Sequence, residues 1–520
     1  MIIADLIRRA FATHADAVAI SSGGSQLTYA EVAERSYRLV NALRDRGIEV
    51  GDRVATLAPN HLTTLEVITG LALGGYARTA LHAMNSGELH REMLDAAGAR
   101  VLITTMDFYA RFRLELSAVS TLEHVFVLDA DEGGLLDYES VLAGADPQDA
   151  LVDLDPAVIL HLAYSSGSSG KPRASVHTHE SWVAVTADNA DMLPRVTAAD
   201  VYLAAAPLTH AASTVLYLLL ARGARIEVME HFDAADALAR IEREHCTLTV
   251  VVPTMLQLLA THPEATVRDL SSLRAIVYAG APISVATARA AQAAFGDVLF
   301  QTYGQSECLP VSCLTPEDHA RGVAEDEKIL TAAGRPCLTA DVRIVDDAGA
   351  QQDAGRIGEI LVRTRGRMRG IFGDPEATAE RITPDGFVRT NDIGYLDERG
   401  LLFVVDRKND MIISGGFNIW PAEIENALQK HPAVIEAVAI GIPHPRWGET
   451  PVAIVVISED ADVAEEELIE LCRTEIGSMK KPTELILRTA PLERNALGKL
   501  SRRELREQFW PAGGRQVSGA

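Results

Sequence analysis

A chain of 520 residues, 48% of them hydrophobic, can bury a large core and should divide into more than one domain. Its formal net charge of −24 argues against a nucleic acid or an anionic membrane as partner, so any anionic ligand needs a local basic patch. Five cysteines, Cys246, Cys308, Cys313, Cys337 and Cys472, form no C-x-x-C pair and leave an odd count, which suits reduced thiols in a cytosol and no metal cluster.

The opening stretch MIIADLIRRAFATHADAVAI predicts an amphipathic helix. Asp5 interrupts the basic pair Arg8 and Arg9, and no cleavage-like segment follows, so it does not read as a targeting peptide. From Leu27 to about Asp155, helical patterns such as TYAEVAERSYRLVNALRDRG alternate with short apolar runs such as RVATLAP and ARVLITT. That alternation predicts a layered α/β domain with parallel strands, and no repeat of solenoid period interrupts it. Ala157 to Ala163 (AVILHLA) then predicts a buried strand feeding Tyr164 to His179, YSSGSSGKPRASVHTH.

In that loop Gly167 and Gly170 free the backbone to turn its N–H groups toward a ligand. Ser165, Ser166, Ser168 and Ser169 add hydroxyls, while Lys171 and Arg173 add charge, a combination suited to phosphates. It is not a Walker loop, which needs Gly at Ser165 and Ser or Thr at Pro172. Pro172 also argues against a helix leaving the glycines directly. A plain Gly/Ser linker has the same composition, so the loop alone leaves both readings open.

Downstream, DVYLAAAPLTHAASTVLYLLL predicts a strand ending at Pro207 and an apolar helix beginning at His210, far too short to span a bilayer. TLTVVVPTMLQLL and LRAIVYAGAPIS each predict a strand, a turn and a helix, the second turn being Gly280, Ala281 and Pro282. In VLFQTYGQSE a strand gives way to a predicted turn containing Tyr303, Gly304, Ser306 and Glu307. It offers a flat ring, a close-approach glycine, a hydroxyl and a hard oxygen ligand, the groups that ATP and magnesium require. Cys308 beside it has no histidine near in sequence and reads as a buried thiol. Leu338 to Arg365 alternates like a small antiparallel β-subdomain. The run after Met411 reads as a glycine turn, a helix starting near Pro421 and two strands around a Pro/Trp loop.

Four blocks in order, YSSGSSGKPRA, YGQSE (Tyr303 to Glu307), TNDIGYLDERGLLFVVDRKNDMIISGGFNIWPAEIE (Thr390 to Glu425) and RNALGKLSRREL (Arg494 to Leu505), resemble the adenylate-forming superfamily over nearly the whole chain. That superfamily holds acyl-CoA synthetases, luciferase-like enzymes and peptide-synthetase adenylation domains, and the resemblance is nearest to the acyl-CoA synthetases. It implies a large multilayer α/β domain with a β-subdomain (residues 1–406), a hinge at 407–409 centred on Asn409, and a small mobile α+β domain (410–510). The tail 511–520 reads as disordered.

The resemblance also assigns roles. The phosphate loop is Ser165, Ser166, Gly167, Ser168, Ser169, Gly170 and Arg173. Gly280, Ala281, Pro282, Tyr303 and Gly304 face adenine, and Asp392 and Arg407 grip the ribose. Ser306 bonds phosphate and Glu307 holds Mg²⁺. His210, Ala211, Ser213 and Thr214 wall the acyl pocket, and this uncharged wall favours an apolar acid, with no fixed cation ready for a second carboxylate. Ser414, Gly415 and Gly416 admit pantetheine, and Lys499 is the catalytic lysine.

The implied reaction attacks ATP with a carboxylate, releases pyrophosphate, and passes the acyl group from the acyl adenylate to coenzyme A with release of AMP. Departures from the usual loop (Ser/Thr-Ser-Gly-Thr/Ser-Thr/Ser-Gly-x-Pro-Lys-Gly) are Arg173 for lysine and Ala174 for glycine, while Asn409 replaces the usual Asp or Lys. They keep alive an enzyme that mainly converts a preformed acyl adenylate. A stand-alone enzyme loading a carrier protein, a luciferase-like monooxygenase and a non-catalytic acyl-CoA or nucleotide sensor are further alternatives. The sequence reads as cytoplasmic, and a homodimer would be ordinary for such an enzyme.

Overall fold

The structure, a computed structural model, describes residues 1–130, 136–165, 172–209, 211–414, 417–458, 461, 463–493 and 502–510, with backbone alone for Leu136, Ser165, Asn409, Phe417, Asn418, Arg503 and Glu507. Contact density divides the chain into two compact units, Met1–Val342 with Val362–Arg389, and Arg343–Leu361 with Thr390–Ala520. Among the described residues the strands form four sheets, of nine, seven, five and four strands.

The first unit is the layered α/β body. Its seven-stranded sheet runs Leu136–Asp137, His124–Val127, Val101–Thr104, Arg53–Leu57, Ala77–Ala80, Ile159–Ser165 and Arg173–Thr178. All neighbours but the last pair are parallel. The nine-stranded sheet has a parallel centre, Arg225–Val228, Val201–Ala204, Leu248–Val251, Ala275–Ala279 and Leu299–Gln305, with antiparallel strands toward both edges. This is the alternation read from Leu27 onward, with connecting helices burying one face each.

Local chemistry sets the helix ends. Thr28 accepts from the Glu31 amide while the Glu31 carboxylate accepts from the Thr28 amide at 2.7 Å, a capping box that starts the helix Tyr29–Asp45. The opening helix, Ile3–Thr13, buries Ile3, Ile7, Ala10 and Phe11 on one face, as its periodicity predicts. The helix Thr64–Gly74 is buried from Leu65 to its end, and its one charge, the Glu66 carboxylate, accepts from Arg35 at 2.8 Å and from the Tyr138 hydroxyl at 3.0 Å.

One predicted element is corrected. The helix expected from His210 is a 3₁₀ turn, Ala211–Ser213, followed by an α-helix over Leu216–Ala221 only. The Ala212 carbonyl accepts from the Tyr202 hydroxyl at 3.0 Å and the Thr214 carbonyl from Asn189 Nδ2 at 3.2 Å, so side chains take acceptors that a continuous helix would give to its own amides. His210 itself lies outside the described residues.

The second unit carries most of the four-stranded sheet, Asp341–Val345, Gly358–Arg363, Val388–Leu396 and Leu402–Arg407. It also carries an α+β body in which Val434–His444 and Gly448–Ile457 form a long antiparallel hairpin, with Glu484–Arg488 parallel to the second strand. The helix Pro421–Leu428, with proline at its first turn, and the helix Glu465–Ile476 pack Ile424, Leu428, Leu468 and Cys472 onto that sheet.

Candidate active site

In the first unit the serine/glycine loop connects two antiparallel strands, with Ser165 opposite Arg173. Ser166, Gly167, Ser168, Ser169, Gly170 and Lys171 lie outside the described residues, and Ser165 is described by backbone alone. Arg173 belongs to the return strand, and its Nη2 is 3.9 Å from Asp374 Oδ2, a loose exposed pair.

The second motif is corrected in form. Tyr303 and Gly304 are not in a turn but remain in the strand Leu299–Gln305, which reverses at Ser306 and Glu307 into Cys308–Leu314. Gln305 pairs with Cys308, and the register shifts between Tyr303 and Gln305, so a bulge at Gly304 re-aims the end of the hairpin. Buried His177 bonds the Ser306 carbonyl at 2.7 Å through Nε2, which therefore carries the proton. Burial lowers this imidazole's pKa to about 4, so it is a neutral donor fixing the tight reversal. Glu307 is 6% exposed, its carbonyl accepts from the Met368 amide at 2.8 Å, and its Oε1 is 3.1 Å from Arg381 Nη2.

Gly280, Ala281 and Pro282 form an exposed turn at the C-terminal end of Ala275–Ala279, with Gly280 at φ 92°. This end of a parallel sheet is where α/β folds present ligand-binding turns. Among the described residues no three His, Cys, Asp or Glu side chains gather as a metal cage. A lone buried carboxylate such as Glu307 fits a magnesium ion held mainly by phosphate oxygens.

The resemblance assigns an acyl wall to His210, Ala211, Ser213 and Thr214. Of the residues assigned to it, Ser213 lines a cavity of about 10 Å³, room for about one water, and the cavity's other polar walls are Arg78, His161, Trp182 and Tyr217. Arg78 thus puts a cation on the same cavity as Ser213. Its one hydrogen bond among the described residues is a long one, 3.5 Å, to the Leu208 carbonyl. Arg78 and His161 are register partners on adjacent parallel strands, and His161 pairs in turn with His177. The His161 ring stacks on His177 at 4.9 Å and meets Trp182 edge-on at 4.2 Å. Burial first, then His177 and Arg78, hold the His161 pKa well below the ordinary value, so this ring is neutral. A charged residue in the short strand Ala77–Ala80, whose residues alternate between buried and half-buried, was the sequence signal that could have marked Arg78.

In the second unit Asp392 and Arg407 are opposite one another on antiparallel strands, Nε to Oδ1 3.6 Å, with Asp392 buried and Arg407 exposed. The Asp392 amide donates to Thr390 Oγ1 at 3.0 Å. Just beyond, Lys408 pairs with Glu359 at 3.2 Å, while Asp410 pairs with Arg506 at 2.8 Å. Arg502 makes bonds of 2.8 and 2.7 Å to Glu425 and reaches Asp406 at 3.5 Å, so charges flank Asn409 on both sides. Ser414 ends its strand opposite Gly448, beside a hairpin tip where Trp447 stacks on His444 at 4.4 Å. Gly415, Gly416 and Lys499 lie outside the described residues.

Comparison with known proteins identifies the family. Residues 7–372 match the model of the AMP-binding enzyme family, and residues 423–499 match that of the AMP-binding enzyme C-terminal domain. The chain is 36% identical to a feruloyl-CoA synthase of Amycolatopsis sp, over 95% of this chain and 96% of the relative. It is 32% identical to a medium/long-chain-fatty-acid–CoA ligase of Mycobacterium tuberculosis, over 98% and 91%. Among solved structures, the amide bond synthetase McbA from Marinactinospora thermotolerans superposes with a TM-score of 0.89 at 30% identity, covering 98% of this chain and 100% of that one. The chain therefore belongs to the AMP-binding enzyme family, the adenylate-forming superfamily, near its acyl-CoA synthetases.

Proposed function

We propose that this protein is an AMP-forming acid–thiol ligase that activates a carboxylic acid with ATP and transfers the acyl group to coenzyme A. The observation that carries the reading is the bulged hairpin ending in Ser306 and Glu307, which holds one buried carboxylate in place, in a chain that the family spans almost throughout. Oxide is too poor a leaving group for direct acyl transfer. The acid's carboxylate instead attacks the α-phosphorus, an O–P bond forms as the bond to pyrophosphate breaks, and AMP becomes the later leaving group.

Each residue's task follows from its chemistry. The loop hydroxyls and amides from Ser165 to Gly170 and the Ser306 hydroxyl donate to phosphate oxygens, and Lys499 adds a charge in the first step. Magnesium, when bound at Glu307, would neutralise phosphate charge. Asp392 accepts from ribose hydroxyls, with Arg407 holding its charge, while Gly280 to Pro282 and Tyr303 border the base. His210 borders the acid. In the second step the C-terminal domain turns about Asn409, and the thiol enters past Ser414, Gly415 and Gly416. Five buried thiols outside any disulfide suit a reducing compartment, and we place the enzyme in the cytoplasm. No helix among the described residues is long and apolar enough to cross a membrane.

A second reading is favoured by Arg173, whose guanidinium faces Asp374 from the return strand and so offers phosphate a partly compensated charge. On that reading activation is slow and the enzyme mainly converts a preformed acyl adenylate. One experiment separates the two. Pyrophosphate release is followed without coenzyme A across aliphatic, aryl and polycyclic acids, and thioester is then measured with coenzyme A added. Release followed by thioester supports the complete ligase. Thioester only from a synthetic acyl adenylate supports the second reading, and neither product overturns both.

A further inference from the structure

We propose that Arg78 and Trp182 form a receptor for an oxygen atom on the end of the acid remote from its reacting carboxylate. The inference deepens the ligase reading and rests on it for placing Ser213 in the acyl wall. The cavity holds a group of about one water, the size of a terminal oxygen, and its polar walls are Arg78, His161, Trp182, Ser213 and Tyr217.

Donors dominate those walls. Arg78 is half-buried, has no carboxylate within ion-pair distance among the described residues, and its one side-chain hydrogen bond among them is a long one, 3.5 Å, to the Leu208 carbonyl. Trp182 is 4% exposed, and its Nε1–H, a donor that cannot accept, finds no partner among the described residues. Tyr217 is buried, and burial raises its pKa to about 12, which keeps the hydroxyl proton in place. His161 is neutral and is held by the rings of His177 and Trp182.

Burial pulls the Arg78 pKa down, but a guanidinium does not give up its proton in proteins, so the charge stays, with no carboxylate partner among the described residues. A methyl group entering this cavity would leave both donors unmet and desolvated. An oxygen, as ketone or carboxylate, would meet them. The substrate class that fits is therefore an acid with an oxygen-bearing distal end, and a plain hydrocarbon tail fits poorly.

The test uses the full-length enzyme and straight-chain acids of graded length in three matched forms, ending in methyl, in a methyl ketone, or in a second carboxyl. The readouts are kcat/KM for AMP formation and the thermal shift each acid produces. The wild type is expected to favour an oxygen-ended form over the methyl-ended one by about tenfold or more at some length. Arg78→Met should then reduce that preference by about 10- to 100-fold, Trp182→Phe by a few fold, and Arg78→Lys should restore part of it. Whether the ketone or the dicarboxylate gains most names the oxygen as neutral or charged. A preference for methyl at every length, or an equal loss on all three forms in Arg78→Met, overturns the proposal and leaves the ligase reading standing. If no acid is turned over the ligase reading falls, and the thermal shifts still decide. A larger shift with oxygen-ended acids that Arg78→Met abolishes upholds the receptor, and equal shifts reject it.

Discussion

Glu307 Oε1 lies 3.1 Å from Arg381 Nη2, with the two side chains 9% and 26% exposed. The carboxylate assigned to magnesium therefore already has a counter-charge in the protein, donated from the end of the helix Pro375–Arg381. Removing that partner leaves a buried charge, so Arg381→Met should destabilise the free enzyme by about 3 kcal/mol. With less competition for Glu307, the same variant should gain more stability from magnesium and ATP together, and need less magnesium for half-maximal AMP formation. Thermal unfolding with and without both ligands measures this. An equal gain in wild type and variant would mean that Glu307 does not hold the metal.

Gly394 stands two residues from Asp392, where a Cβ would sit 2.2 Å from the Phe403 carbonyl and 2.7 Å from Ile360 Cδ1. Backbone cannot give way cheaply, so Gly394→Ala should push the strand Leu402–Arg407 aside and spoil the Asp392–Arg407 pair. The expected cost is about 1–3 kcal/mol or more in stability, together with a raised KM for ATP. Gly400→Ala is the contrast. Gly400 has φ 76° but nothing within 4 Å of a Cβ, so only backbone strain of about 1 kcal/mol is added and the KM for ATP should hold. A similar KM change in both variants would separate the ribose clamp from this strand pair.

Much of this was legible because the signals were local. The alternation after Leu27, the proline start at Pro421 and the strand–turn–helix around Gly280 depend on periodicity and punctuation, and the structure keeps them. In the sequence Tyr303 and Gly304 read as turn, because strand-like VLFQ gives way there to a run with glycine and polar residues. Here the pairing of Gln305 with Cys308 carries the strand through a bulge. The helix expected from His210 failed because its acceptors are taken by Tyr202 and Asn189, which are distant in sequence. The surroundings of Arg78, Trp182 and Arg381 were invisible for the same reason. Each acquires its meaning from a neighbour on another strand or helix, and no spacing rule carries that.

All five cysteines are buried and none is in a disulfide, and burial raises the pKa of Cys246 and Cys313 to about 12 and of Cys472 to about 11. Cys337 is raised further still, mainly by burial. Thiolate is the reactive form, so a disulfide reagent should label none of the five in the native enzyme and all five in denaturant. Rapid labelling of one thiol in the folded protein, traced by peptide mapping, would show that its element opens. Cys472, on the helix Glu465–Ile476, is the one whose thiol is shifted least among those three.

Asp406 gives a pH dependence with a definite sign. It is 7% exposed beside Asn409's turn, accepts from the amides of Arg407 at 2.7 Å and Ala422 at 3.0 Å, and shares Arg502 with Glu425 and Asp410. Burial raises its pKa to about 6 from an ordinary 3.8, with Arg502 opposing and Glu425 assisting. Between those two values the folded state binds more proton than the unfolded chain, so this group makes stability fall as pH rises from about 4 to about 6, and adds no further slope above. The full span is about 3 kcal/mol, at 1.36 kcal/mol per pKa unit. Asp406→Asn loses a partner of Arg502 but cannot ionise, so its stability relative to wild type should improve steadily across that window. Urea unfolding of both proteins at several pH values measures the difference. Parallel curves would mean that Arg502 holds Asp406 ionised throughout, and that the charges beside Asn409 form a fixed ion-pair cluster with no proton to gain.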